Sequence, residues 1–209
     1  MNRRNLLLTT LLLVALSASG KTLPDNAFFR RFRIGVEWGY SQSLFLFHNY
    51  NYISEEGSRF YDRTHSFHLH PNGILLGQIG MDLGERTNLS LIGGYIGAGQ
   101  DNRLFPLMLR ASRFPHGTRS DGGQMFIQGG PAVHGLASGR QLAWLGALGG
   151  GYRFRLSDDC CLDLLGALKF TYDHPLLPNP EGPGHVSERN IRRNDAVYCA
   201  LDLTIAVSF

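Results

Sequence analysis

The chain has 209 residues, a formal net charge of +3 and 18% charged residues, with Lys and Arg scattered along it, which excludes the clustered basic face of a nucleic-acid binder. Its 26 glycines and its shortage of charge suit strands packed closely in a sheet that turns one face away from water. After the N-terminal stretch there is no long apolar run, so a helical membrane protein is excluded by hydropathy.

The chain opens on the basic "MNRRN", continues with an apolar stretch from Leu6 to Leu16 that is too short to span a bilayer, and reaches the small residues "LSASG". This is the pattern of a secretory signal peptide over 1–20, cut near Ser19 or Gly20. A short periplasmic segment, 21–31, is expected next, and a single domain over 32–209. Loss of Arg3 and Arg4 would lower the formal charge from +3 to +1. The three cysteines are an odd count, and Cys160 and Cys161 are neighbours, so no structural disulfide and no metal site is expected of them.

From Phe32 onward the sequence alternates with a period of two, as half-buried strands do. In the first strand, Phe32 to Phe45, Phe32, Ile34, Val36, Trp38 and Tyr40 oppose Arg33, Gly35, Glu37, Gly39 and Ser41. Further strands are predicted at Ile74 to Leu83, Asn88 to Gly97, Leu104 to Phe114, and Gln124 to His134; in the last of these Pro131 suggests a bulge or strand end. Leu142 to Leu156 follows, then Leu162 to Tyr172, then a closing strand from Ala196 to Phe209 whose odd positions are all apolar. Eight strands result, and the connections alternate in length. Leu46 to Gly73 and Asp173 to Asn194 are long, whereas "GERT" and "SDD" are tight and only "PHGTRSDGG" exceeds an ordinary inner turn. Short turns at one end and long loops at the other belong to an up-and-down transmembrane barrel.

The non-apolar face carries Gly, Ala and Ser with isolated charges of both signs, which suits the cramped interior of a small closed barrel better than the wet face of a β-sandwich. Glu37, Asp82, Asp163 and Asp202 share that face with Arg110, Arg153 and Lys169. Unpaired buried charge is costly, so a structural ion-pair network is predicted, with Arg153 opposite Asp163. The aromatics Trp38, Tyr40, Tyr95, Trp144, Tyr152, Phe154, Tyr172 and Phe209 fall on the other face, several near strand ends, as membrane aromatic girdles do.

With apolar residues at alternate positions before a final aromatic, "LDLTIAVSF" resembles the C-terminal strand of bacterial outer-membrane β-barrel proteins. The stretch from Phe32 to Phe209 is similar to the small eight-stranded barrels of the OmpA and OmpX type. That resemblance implies an all-β, eight-stranded antiparallel transmembrane barrel, exported through the periplasm to the bacterial outer membrane. It further implies lipid and lipopolysaccharide as surroundings and the outer-membrane assembly machinery as a partner.

Chemistry is harder to find. In the first long connection His48, His65, His68 and His70 lie near Glu55, Glu56 and Asp62, and His68 with His70 could share a face of an extended chain toward a zinc-like ion. Solvated loop histidines are the simpler reading, and neither metal nor cofactor is assigned. His174 invites comparison with lipid A deacylases, whose motif resembles His-x-Ser-Asn, but Pro175 and Leu176 follow it and the nucleophile is missing. "GGYIGAGQ" lies in strand pattern, not before a helix, and is no nucleotide loop. An open channel is also disfavoured, because eight strands leave a lumen filled by side chains. The expected role is therefore a non-enzymatic anchor that presents surface loops to a ligand or partner. Tyr50, Tyr52, His65, His68, His70, Arg192 and Arg193 are the candidate contacts. A lipid-modifying enzyme and a narrow pore are the alternatives.

Overall fold

The computed structural model describes residues 31–54, 56–98, 102–135, 142–179, 182 and 184–209. The expected signal peptide, most of the segment after it, Glu55 and much of the connections expected at Ala98 to Arg103 and Gly135 to Gln141 lie outside the described residues. Eight strands follow in chain order: β1 (Phe32–Ile53), β2 (Arg59–Asp82), β3 (Thr87–Ala98), β4 (Asn102–Arg113), β5 (Gly122–His134), β6 (Leu142–Arg155), β7 (Cys161–Asp173) and β8 (Ile191–Ser208). Each pairs antiparallel with its neighbour, and β8 returns to β1, closing the barrel. Closure leaves no unpaired edge along the wall.

The alternation read from the sequence sorts the two sides of this wall. On its outside Ile127 is 62% exposed and Leu148 64%, while on its inside Glu37 is 4% exposed and Lys169 2%. Ordinary globular packing is thereby inverted: large aliphatic side chains line the exterior and charges line the core. Apolar interior packing gathers in two clusters, one including Ile74, Leu76, Ile92, Ile96, Leu104 and Met108 toward the long-loop end, the other of Phe126, Ala147, Leu165, Ala167 and Ala206.

Two prolines leave their mark on the ladder without ending a strand. Pro131 sits inside β5 opposite Trp144 of β6, while pairing to β4 lapses between Pro106↔Ala132 and Leu109↔Gly129. A second lapse, between Gly93↔Leu107 and Ile96↔Leu104, flanks Pro106. Neither proline has an N–H to donate. The glycines beside these lapses bring strands into close approach: a Cβ on Gly130 would lie 2.2 Å from the Leu107 carbonyl, and one on Gly94, whose φ is +152°, would lie 2.3 Å from that of Leu75.

The largest departure from the sequence reading is in the first long connection. Leu46 to Gly73 is not a loop: β1 continues to Ile53 and β2 begins at Arg59, with pairing as far as Ile53↔Arg59. β8 follows β1 outward to Tyr52↔Ile191. A three-stranded sheet, β2–β1–β8, therefore projects beyond the wall. From the level of Phe47↔Val197 to Ile53 it rises roughly 20 Å at the usual rise per strand residue. The register slips at Leu44, so the outward side of β1 is even-numbered below it and odd-numbered above. The last connection also carries order, with Pro178 bridged to His185 and a 3-10 turn at Glu188–Asn190.

Candidate functional site: a charged interior beneath a projecting sheet

The interior is a column of matched charges. Near the short-turn end Arg153 on β6 faces Asp163 on β7 in register, and donates to both carboxylate oxygens at 2.7 and 2.6 Å. Its guanidinium also lies 4.2 Å from the centre of the Phe114 ring. Asp82 accepts from Arg33 at 3.0 Å, Asn88 at 2.9 Å and the Thr118 hydroxyl at 3.2 Å. One level up, Arg110 pairs with Glu37 at 2.8 Å, donates to Gln128 at 2.7 Å and stacks over Phe126, while Thr204 donates to Glu37 at 2.8 Å. Above these, Lys169 bridges Asp202 at 3.0 Å and Ser41 at 2.7 Å, and Ser41 donates to Asp202.

Every named member of the expected luminal set, Glu37, Asp82, Arg110, Arg153, Asp163, Lys169 and Asp202, lies buried in this column. Among the described residues each buried Arg and Lys has one carboxylate: Arg33 with Asp82, Arg110 with Glu37, Arg153 with Asp163 and Lys169 with Asp202. Matching of this kind is what makes buried charge tolerable. A cavity among these side chains, lined by Arg33, Arg110, Gln124 and Ser208 among others, holds about 20 Å³, room for roughly one water.

Sequence reasoning missed three parts of this interior. Arg33 stood on the inner face but had no assigned partner, because Asp82 is brought to it only by the β1–β2 register. A buried pair at the long-loop end, His134 Nε2 with Asp173 Oδ1 at 2.7 Å, joins β5 to β7 across β6; His134 ended a predicted strand and Asp173 opened a predicted loop, so both read as loop margins. The third is the over-long inner turn. Thr118 donates its amide to the Glu85 carbonyl at 2.8 Å, offers its own carbonyl to Arg153 at 2.5 Å and is buried with Phe114. The turn is long because it folds inward and stoppers the barrel.

The predicted surface contacts divide between the two faces of the projecting sheet. His48, Tyr50 and Tyr52 lie on the face that continues the lumen and stack in sequence, with ring centres 5.0 and 6.1 Å apart, ending on Phe60 at 5.1 Å. Tyr50 donates to Asp62 at 3.3 Å. Burial and then the Asp62 charge push the Tyr50 hydroxyl above its ordinary value. The Thr64 hydroxyl and the Arg63 amide hold Asp62 below the usual carboxylate range. His65 lies on the other face against Phe47 at 5.3 Å, and Arg193 joins Asp195 at 2.8 Å. Arg192 is exposed beside it, and His70 stands lower down, opposite Ser43. The His68 side chain is outside the described residues.

The histidines of this ribbon are thus spread over both faces and several levels, with His48 bonded to Asn194 at 2.9 Å. Among the described residues no group of three His, Cys, Asp or Glu side chains is arranged to hold a metal ion. Cys160, Cys161 and Cys199 are free thiols. His174 bonds the Asn194 carbonyl through Nδ1 at 2.5 Å and sits 3.6 Å from Asp195.

Fold and interior together define a class: a small closed antiparallel barrel of eight strands, apolar outside, ion-paired inside, with one side drawn out into a sheet. No protein-family model matches this chain, and no curated protein sequence matches it.

Proposed function

We propose that the chain is a bacterial outer-membrane protein whose barrel is an anchor and whose projecting β2–β1–β8 sheet is the working part, held at the cell surface to engage a ligand or partner. The inverted wall is the observation that carries the reading. Isoleucine and leucine over half exposed around a closed barrel, with each buried Arg and Lys among the described residues paired to a carboxylate inside it, is stable in hydrocarbon and costly in water. The N-terminal pattern of a signal peptide and the aromatic end of β8 support the same compartment.

A rigid stalk suits display. Among the described residues edge pairing of β2 to β3 reaches only Ile74↔Ile96, so β2 from Gly73 up to Arg59 offers an open strand edge, a mode by which sheets capture extended peptides. The filled lumen supports an anchor over a narrow pore, and His174, followed by Pro175, supports it over a deacylase.

Surface labelling tests the reading. With the native cysteines replaced, Asn51→Cys at the sheet tip should react with a membrane-impermeant maleimide on intact cells, whereas Ser157→Cys in the opposite turn should react only after lysis. Labelling of both sites in intact cells would sink the proposed orientation. Removal of 46–71 should leave a barrel in the membrane but abolish partner capture.

A further inference from the structure

We propose that the outward face of the projecting sheet binds the phosphate groups of membrane lipid, with Arg59, Arg63 and Arg193 as its cations; this rests on the membrane reading above. Along β2 and β1 the outward positions change character in tiers. Phe45 and Phe67, 46% and 60% exposed, form the lowest tier and stack edge to face at 5.2 Å. Phe47 with His65 forms the next, followed by Asn49 with Arg63, Asn51 with Tyr61, and Ile53 with Arg59. On the far side of β1, Asp195 stands opposite Asn49 and Arg193 opposite Asn51. Arg63 and Arg193 therefore flank β1 from either side, two strand spacings apart across the sheet and two residues apart along it, roughly 12 Å. Arg59 leans in between and donates to Asn51 at 3.2 Å.

Two further observations point to an anion at this level. The cations gather on one face: Asp62, with Tyr50 and Tyr52, occupies the side that continues the lumen, and the three arginines, together with Tyr61 and Asp195, occupy the side that continues the apolar wall. Asp195, the carboxylate among them, is already engaged by Tyr172 at 2.8 Å as well as by Arg193. A face that rises straight from exposed aromatics has its first cations at the depth of lipid headgroups. Guanidinium forks suit phosphate oxygens. Of the possible occupants, lipid fits best because this face is continuous with the wall that lipid covers, whereas a peptide would reach the open β2 edge or the tyrosine side.

The test uses the full-length protein inserted in phosphatidylcholine nanodiscs with and without phosphatidylglycerol, with retained lipid counted by native mass spectrometry. Wild type should retain phosphatidylglycerol preferentially. The combined Arg59→Gln, Arg63→Gln and Arg193→Gln variant should lose that preference by about five-fold per arginine, with the effect weakening as salt rises. The three Arg→Lys changes should keep most of it, and Arg155→Gln, at the opposite end, should change nothing. Equal retention by wild type and the Gln variant, or no preference in wild type, would overturn the inference while leaving the barrel reading intact. Failure of wild type to insert in either bilayer would overturn both.

Discussion

Below Leu44 the sheet is a wall with two unlike sides; above it the same strands become a sheet with two half-exposed sides. In the wall, neighbouring residues such as Ile34 and Arg33 are 63% and 8% exposed. In the projecting part, His48, Asn49, Tyr50 and Asn51 are all intermediate. The difference teaches what holds each region. The wall is fixed by closure and by buried ion pairs that must be complete. The projecting sheet is held by its ladder, a run of stacked rings and a few exposed polar contacts.

Breaking an ion pair in each region should separate them most sharply. Asp163→Ala leaves Arg153 buried without its carboxylate and should cost about 3–5 kcal/mol. Asp195→Ala frees the exposed Arg193 and should cost about 0–1 kcal/mol. Equal losses by denaturant unfolding in detergent micelles would erase the distinction. A charge placed outside the wall gives the next largest effect. Leu148→Arg should destabilise the barrel in a bilayer by about 2–4 kcal/mol, whereas Asn51→Arg on the projecting sheet should leave its stability within about 0.5 kcal/mol.

Smaller effects should stay local to the projecting part. Tyr52 is 6% exposed and stacked on Phe60, so Tyr52→Ala should forfeit about 0.5–1.5 kcal/mol of aromatic pairing besides its burial. Faster amide exchange at 46–65 with unchanged protection in β5 to β7 is the expected readout. The smallest change comes from acid. Asp62 is depressed by the Thr64 hydroxyl and then the Arg63 amide, so its contribution is present above the unfolded value of about 3.9 and is lost as pH falls through the folded one. The sheet tip should loosen in that window, and Asp62→Asn should remove the pH dependence.

What the sequence disclosed follows the same division. Wherever one side of a strand met the interior, the period of two was plain, and β3 through β7 lie within two residues of their expected bounds, whereas β8 begins at Ile191, five residues before the expected Ala196. Ser43 and Phe45 show why it failed next door: the slip between them exchanges odd for even, and above it β1 from His48 to Asn51 is intermediate on both sides, without contrast. The interior charges were legible because a Lys169 or Asp202 in a strand of Leu, Ala and Ile stands out. Their partners were less so, since only Arg153 and Asp163 flank a tight turn; Glu37 and Arg110 come together across the barrel, from strands that do not pair. His134 and Asp173 met for the same reason, and nothing local marks either. The plug made by Thr118 was visible as a turn too long for its place, without a hint of where it folds.

The most direct measurement is the gel mobility of the protein in an outer-membrane fraction, unheated and after boiling in detergent. A closed barrel held by a complete hydrogen-bonded circuit and paired interior charges should stay folded in cold detergent and migrate differently once boiled. Recovery in the soluble periplasmic fraction with no shift on heating would contradict it, since an exterior of exposed Ile, Leu and Phe has no place in water.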